Sequence, residues 1–155
     1  LPPRAPAAGA EGESPVALTA TADGWYSIGA ELEDADAEQA RSAYQRALAL
    51  DPGHADAHVN LGCLEHEAGR LDLAERHYRA ALAVRPDDAT AAFDLGVVLE
   101  DLGRLDDALA AYEQSLAAAP GAADVHYNLA RLHDRRGDTA AAIRHLRAYR
   151  SLSEH

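Results

Sequence analysis

The sequence contains no lysine, no methionine, one cysteine and no long apolar run, and each absence removes a class of structure or function. A lone Cys63 cannot build an internal disulfide framework, so the fold must rest on packing. No stretch approaches the ~18 consecutive apolar residues that a membrane-spanning helix needs, so no membrane contact is expected. All 14 basic residues are Arg, a bias that reads as GC-rich coding without functional meaning. Aromatics make up only 5%, so small side chains must do much of the packing. Basic charge is scarce as well: 14 Arg face 26 Asp and Glu, for a net charge of −12. That balance argues against direct nucleic-acid contact and favours basic ligands.

Catalytic signatures are also missing. There is no phosphate-cradling Gly loop, no Gly-x-Ser-x-Gly elbow and no His-Glu-x-x-His sequence. Eight His and Cys63 offer fragments of metal-ligand spacing: Cys63 lies three residues before His66 with Glu67 next to it, and His54 lies four before His58. Neighbours on one helix supply only part of a coordination shell. The expectation is therefore no metal, no cofactor and no catalysis. His58 and His126 recur at the same bulky position of two repeats, which packing explains.

What is present is a period. Pro52, Pro86 and Pro120 are spaced by 34 residues, and HVNLGCLEHEAGRLDLAERHYRAALAVRP from His58 lies over AFDLGVVLEDLGRLDDALAAYEQSLAAAP from Ala92. The positions that recur are Leu61-Gly62, Gly69, Ala74, Tyr78 and Pro86, then Leu95-Gly96, Gly103, Ala108, Tyr112 and Pro120. A first copy carries Trp25, Ile28-Gly29, Leu32, Ala40, Tyr44, Ala47 and Pro52. It is one residue short near Glu33–Ala37 and lacks the turn Gly, so a tighter or re-angled hairpin is expected. A fourth copy has His126, Leu129-Ala130, His133, Gly137 and Ala142, with Leu146 replacing the aromatic.

These residues resemble the tetratricopeptide repeat. The resemblance implies an all-α, right-handed solenoid of four helical hairpins covering 23–155, with repeats at about 23–52, 53–86, 87–120 and 121–155. Apolar spacings of three and four predict helices over 23–35 and 37–50, 55–68 and 71–84, 89–102 and 105–118, and 123–136 and 139–151. Asp23 is the expected cap of the first. Gly69, Gly103 and Gly137 sit where the turn needs positive φ or freedom from a side chain. The Pro-, Ala- and Gly-rich 1–22 segment reads as a flexible linker, and a chain starting at Leu without signal-peptide features reads as part of something longer.

Family geometry places the first helices along a concave groove. The residues it assigns there include Tyr26 in the first repeat, then Asp56, Val59, Asn60, Cys63 and Glu67 in the second. Phe93, Asp94, Val97, Glu100 and Asp101 follow in the third, and Asp124, Tyr127, Asn128, Arg131 and Arg135 in the fourth. Asn60, Asp94 and Asn128 recur at intervals of 34. An amide brackets a peptide unit with one donor and one acceptor, and the set is similar to the Asn ladder by which the repeats of O-linked N-acetylglucosamine transferase hold a peptide backbone. Thr90 and Asp94 stand where the carboxylate clamp of chaperone-binding relatives needs basic residues. The groove carboxylates should instead attract Arg or Lys.

The reading is a scaffold that binds a protein or an extended basic peptide, in a bacterial cytoplasm. The segment from Asp34 also resembles the C-terminal repeat region of bacterial MerR-type regulators, which implies, as an alternative, the effector or oligomerisation half of a transcriptional regulator. An envelope assembly factor is a third reading. At the C-terminal end, Ile143, Leu146 and Tyr149 form an apolar strip rimmed by Arg144, Arg147 and Arg150, where two copies are expected to pair around a twofold axis.

Overall fold

A computed structural model describes residues 14–155, and among these all regular structure is α-helical. Most of the expected 1–22 linker lies outside the described residues. Its described end holds a short helix, α1 (Pro15–Thr19), started by the Ser14 side chain and by proline at the first helical position. The chain divides into two compact units, with the boundary in the sequence after Pro52.

The first unit contains α1, α2 (Ala22–Leu32) and α3 (Ala37–Leu50). Thr21, not Asp23, caps α2: its hydroxyl accepts the Gly24 N–H at 3.0 Å, and Asp23 sits in the first turn, where a carboxylate suits the helix dipole. Trp25 is held from both sides. Its Nε1 donates to the Thr19 carbonyl at 3.0 Å, and the Arg46 guanidinium lies 4.8 Å from the ring centre.

The second unit contains three hairpins: α4 (Ala55–Glu67) with α5 (Leu71–Val84), α6 (Ala89–Asp101) with α7 (Leu105–Ala118), and α8 (Ala123–Arg135) with α9 (Thr139–Ser153). The second helix of one hairpin packs on the first helix of the next, α5 on α6 and α7 on α8. Three of these helices have side-chain caps: His54 Nδ1 accepts from Ala57, Asp88 from Ala91 and Asp138 from Ala141, all at 3.0–3.1 Å. One core runs through the unit around Tyr78, Leu95, Val98, Leu99, Tyr112, Leu129 and Leu132. Alanines buried between them bring the backbones close, which is how so few aromatics suffice.

Two glycine positions do different work. Gly69, Gly103 and Gly137 end α4, α6 and α8 at φ of +78°, +76° and +79°, with nothing within 4 Å of a would-be Cβ. There the left-handed backbone, not crowding, demands glycine. Gly62 and Gly96 lie under the rings of Tyr78 and Tyr112, where a Cβ would come within 2.8 and 2.4 Å of ring carbon.

The first hairpin keeps that contact, with Tyr44 over Gly29, although the two are 15 residues apart where the later pairs are 16. The missing residue is absorbed after the glycine. Helix α2 stops at Leu32, three residues past Gly29, whereas α4 runs five past Gly62, and a turn of residues 33–36 without glycine follows. In the fourth hairpin Ala130 and Leu146 stand where the others pair Gly with Tyr, so a smaller, ring-free side chain is matched by a larger neighbour.

Candidate protein-binding surface

In the second unit α4, α6 and α8 lie side by side. Cys63 Sγ is 4.0 Å from Asp94 Oδ2 and His66 Nε2 is 2.7 Å from Asp101 Oδ2, which ties α4 to α6. Arg131 Nη2 donates to both oxygens of Glu100 at 2.8 and 2.9 Å, which ties α6 to α8. The polar set of Asn60, Asp94 and Asn128 therefore sits on three neighbouring helices, half-buried at each position. Tyr26 belongs to the first unit, where its ring lies 5.7 Å from that of Tyr44.

Tyrosines of the second helices, which the sequence marks only as recurring positions, reach through to this face. Tyr78 Oη donates to Cys63 Sγ at 3.2 Å. Tyr112 Oη donates to Glu100 Oε1 at 2.6 Å and accepts from Asn128 Nδ2 at 3.4 Å. Burial, with Cys63 beside Tyr78 and Glu100 beside Tyr112, pushes both phenols far above the usual range. Both hydroxyls stay protonated and hold their neighbours in place. Only the second, weak bond touches the ladder, so the Asn128 carbonyl and one amide hydrogen remain beyond this network.

The carboxylates are unequal. Asp56 is matched by Arg85 at 2.7 Å and Glu100 by Arg131 with Arg135 at 3.8 Å, while Asp101 is hydrogen-bonded to His66. Glu67 and Asp124 are exposed and have no cation within 4.0 Å among the described residues. Asp94 differs again. Burial raises its carboxyl to about 6, partly opposed by His66, so it is only partly protonated near neutral pH. Negative charge without an internal match lies on α4, on the α6 position Asp94 and at the start of α8, while Arg131 and Arg135 make the far end of α8 basic.

Apolar members of the predicted groove are only partly accessible. Val59, Cys63, Phe93 and Val97 pack against the core, with Phe93 5.6 Å from the Tyr112 ring. Tyr127 is different: it is 48% exposed, and its ring lies tilted 5.3 Å from that of Tyr149. Ile143 and Leu146 on α9 are each 44% exposed, and Tyr149 is half-buried.

Histidines pair across the hairpins: His58 with His77 and His126 with His145, each at 3.1 Å between Nδ1 atoms, and His133 stacks on His145. Burial and the two neighbouring imidazoles lower the proton affinity of His145. No group of three or more His, Cys, Asp and Glu among the described residues is arranged to hold a metal. Among the same residues no helix is long and apolar enough to cross a membrane.

Comparison with known proteins places this geometry. Family models described as tetratricopeptide repeat match residues 62–123 and 99–154, and a second such model matches 43–76. Tetratricopeptide repeat protein 8 of Caenorhabditis elegans is 44% identical over 54 residues, which span 34% of this chain and 11% of that relative. Among solved structures, a crystal structure of MamA superposes with a TM-score of 0.82 at 21% identity, over 86% of this chain and 78% of that one. MamA 41-end from Desulfovibrio magneticus RS-1 gives 0.78 at 23%, over 86% and 76%. At such identities the likeness is one of fold.

Proposed function

Because the chain belongs to the tetratricopeptide repeat family, whose fold serves as a protein-interaction scaffold, we propose that it binds an extended, basic segment of a partner protein along α4, α6 and α8, with no catalysis of its own. The observation that carries this reading is the polar set Asn60, Asp94 and Asn128, one residue per hairpin at a spacing of 34, half-buried on adjacent helices. Side chains repeated at that interval meet a chain in extended conformation at regular steps, and each amide can take both a carbonyl and an N–H of the ligand backbone. Asp94, when ionised, can only accept, and so selects a donor or a cation at the central step.

Glu67, Asp94 and Asp124 supply the charge preference, because the other carboxylates are already matched within the protein. The cation of the ligand should therefore lie toward Glu67, Asp94 and the start of α8, away from Arg131 and Arg135. Direct hydrogen bonds are worth ~0.5–1.5 kcal/mol each. An Asn60→Ala, Asn128→Ala double substitution is expected to weaken binding about tenfold or more while leaving the helical content unchanged.

Fluorescence anisotropy with a panel of labelled extended peptides tests this. Arg-containing peptides should bind more tightly than neutral ones, and the advantage should shrink as salt screens it. A neutral peptide binding as well as an Arg-rich one at every ionic strength refutes the charge preference. Binding indifferent to the double substitution refutes the ladder.

A further inference from the structure

The exposed face of the last hairpin has a shape, a register and a charge that together specify an occupant. A cavity of about 270 Å³ opens between α8 and α9, lined among others by Tyr127, Arg131, Asp134, Ile143 and Leu146. Within the same unit the equivalent face of the preceding hairpin is covered. Asp134 and Leu146 stand 34 residues after Glu100 and Tyr112, and those two are touched by Arg131 and Asn128 of α8. The cavity is thus the place that α8 fills one repeat earlier.

The helices seated at the two filled junctions show what such a place accepts. Helix α6 presents Ala91, Leu95 and Val98 and α8 presents Val125, Leu129 and Leu132, all 3% exposed or less, at positions i, i+4 and i+7 in both cases. The occupant of the last face should then be a helix with small or aliphatic residues at i, i+4 and i+7.

Charge decides between candidate occupants. From Ala123 to His155 there are six Arg and four acidic residues, a balance of +2, so the rest of the chain carries −14 against the net −12. Arg147 and Arg150 follow Ile143 by four and seven residues and share its exposed stripe on α9. Among the described residues Arg147 has no carboxylate within 4.0 Å, and Arg150 has only the exposed Glu154 at 3.7 Å. A second copy docked around a twofold axis would set these guanidiniums against their own images, a like-charge contact that costs binding. An acidic helix would instead match them.

We propose that the α8–α9 face docks an acidic amphipathic helix of a partner protein, seated in the register that α8 takes on the preceding hairpin. This surface shares Tyr127 and Arg131 with the edge of the α4–α6–α8 face but does not depend on that face's reading.

The chain itself supplies the probes. A helix-stapled, labelled peptide of residues 89–102 (ATAAFDLGVVLEDL) carries the apolar register with three carboxylates and no cation. A stapled peptide of residues 123–136 (ADVHYNLARLHDRR) carries the same register with three Arg and two Asp. Titrated against the full chain, the acidic probe should bind at least tenfold more tightly than the basic one. Arg147→Glu, a surface change that leaves the fold intact by circular dichroism, should lower its affinity at least tenfold, and Leu146→Glu should abolish binding. Equal affinities for the two probes, no binding of the acidic probe, or indifference to Arg147→Glu overturns the proposal. So does a concentration-dependent dimer in sedimentation that Leu146→Glu dissociates, since that result assigns the face to a second copy.

Discussion

Asp94 is the residue whose chemistry departs most from its neighbours in the ladder. Its carboxyl, raised by burial to about 6 against an ordinary 3.8, favours the neutral form in the folded chain. A raised folded value means that the stabilising contribution is complete below the unfolded value and is lost as pH rises through about 6. Asp94→Asn, neutral at every pH, should therefore stabilise the protein near neutrality. A tenfold change in proton affinity is worth about 1.4 kcal/mol, and the carboxyl is only half-buried, so solvent screening brings the expected gain to about 1–2 kcal/mol. The gain should vanish as pH falls toward the ordinary carboxylate value. Urea denaturation of both proteins across that range checks it, and a difference that does not change with pH contradicts it. Asn60, Asp94 and Asn128 are legible in the sequence because they obey the period. The pairing of Asp56 with Arg85, or of Glu100 with Arg131, is not, because it depends on side chains 29 and 31 residues apart whose reach no pattern encodes.

The helices are the most legible level. Seven of the eight predicted helices begin where expected, and α2 starts one residue earlier than the sequence suggests. The period, the cap residues and the turn glycines all point to the same boundaries. Where those signals fail, the reading fails with them: α2 ends early because no glycine marks its turn, and α1 rises from a Pro- and Ala-rich stretch with no helical period. The glycine-under-tyrosine contact makes a sharper claim about elements. In Gly96→Ala the new Cβ would sit 2.4 Å from the Tyr112 ring, so α6 and α7 must part. A loss of ~1–3 kcal/mol is expected from such overpacking. The fourth hairpin suggests the remedy, since it pairs Ala130 with Leu146. Adding Tyr112→Leu to Gly96→Ala should cost less than the two single changes sum to, a coupling that chemical denaturation of the four proteins reads directly. Additive losses contradict the contact.

For the molecule as a whole, the 34-residue period sets the fold and also aligns the polar set on three neighbouring helices. Alanine, leucine, glycine and tyrosine repeat because hairpins must stack. Charge is unevenly distributed: Glu67, Asp94 and Asp124 lack an internal match, and six of the 14 arginines fall in the last hairpin. An acidic protein with a basic end can address two kinds of partner. The sequence shows the imbalance, but the selective matching of carboxylates appears only when the hairpins are assembled.

The central claim, that the first-helix face is the binding surface, is tested most directly by amide NMR of the full chain titrated with an Arg-containing extended peptide. Chemical-shift changes should cluster at Asn60, Cys63, Asp94 and Asn128 and weaken in the Asn60→Ala, Asn128→Ala protein. Changes confined to α5, α7 and α9, or none at peptide concentrations that saturate the anisotropy signal, would contradict it.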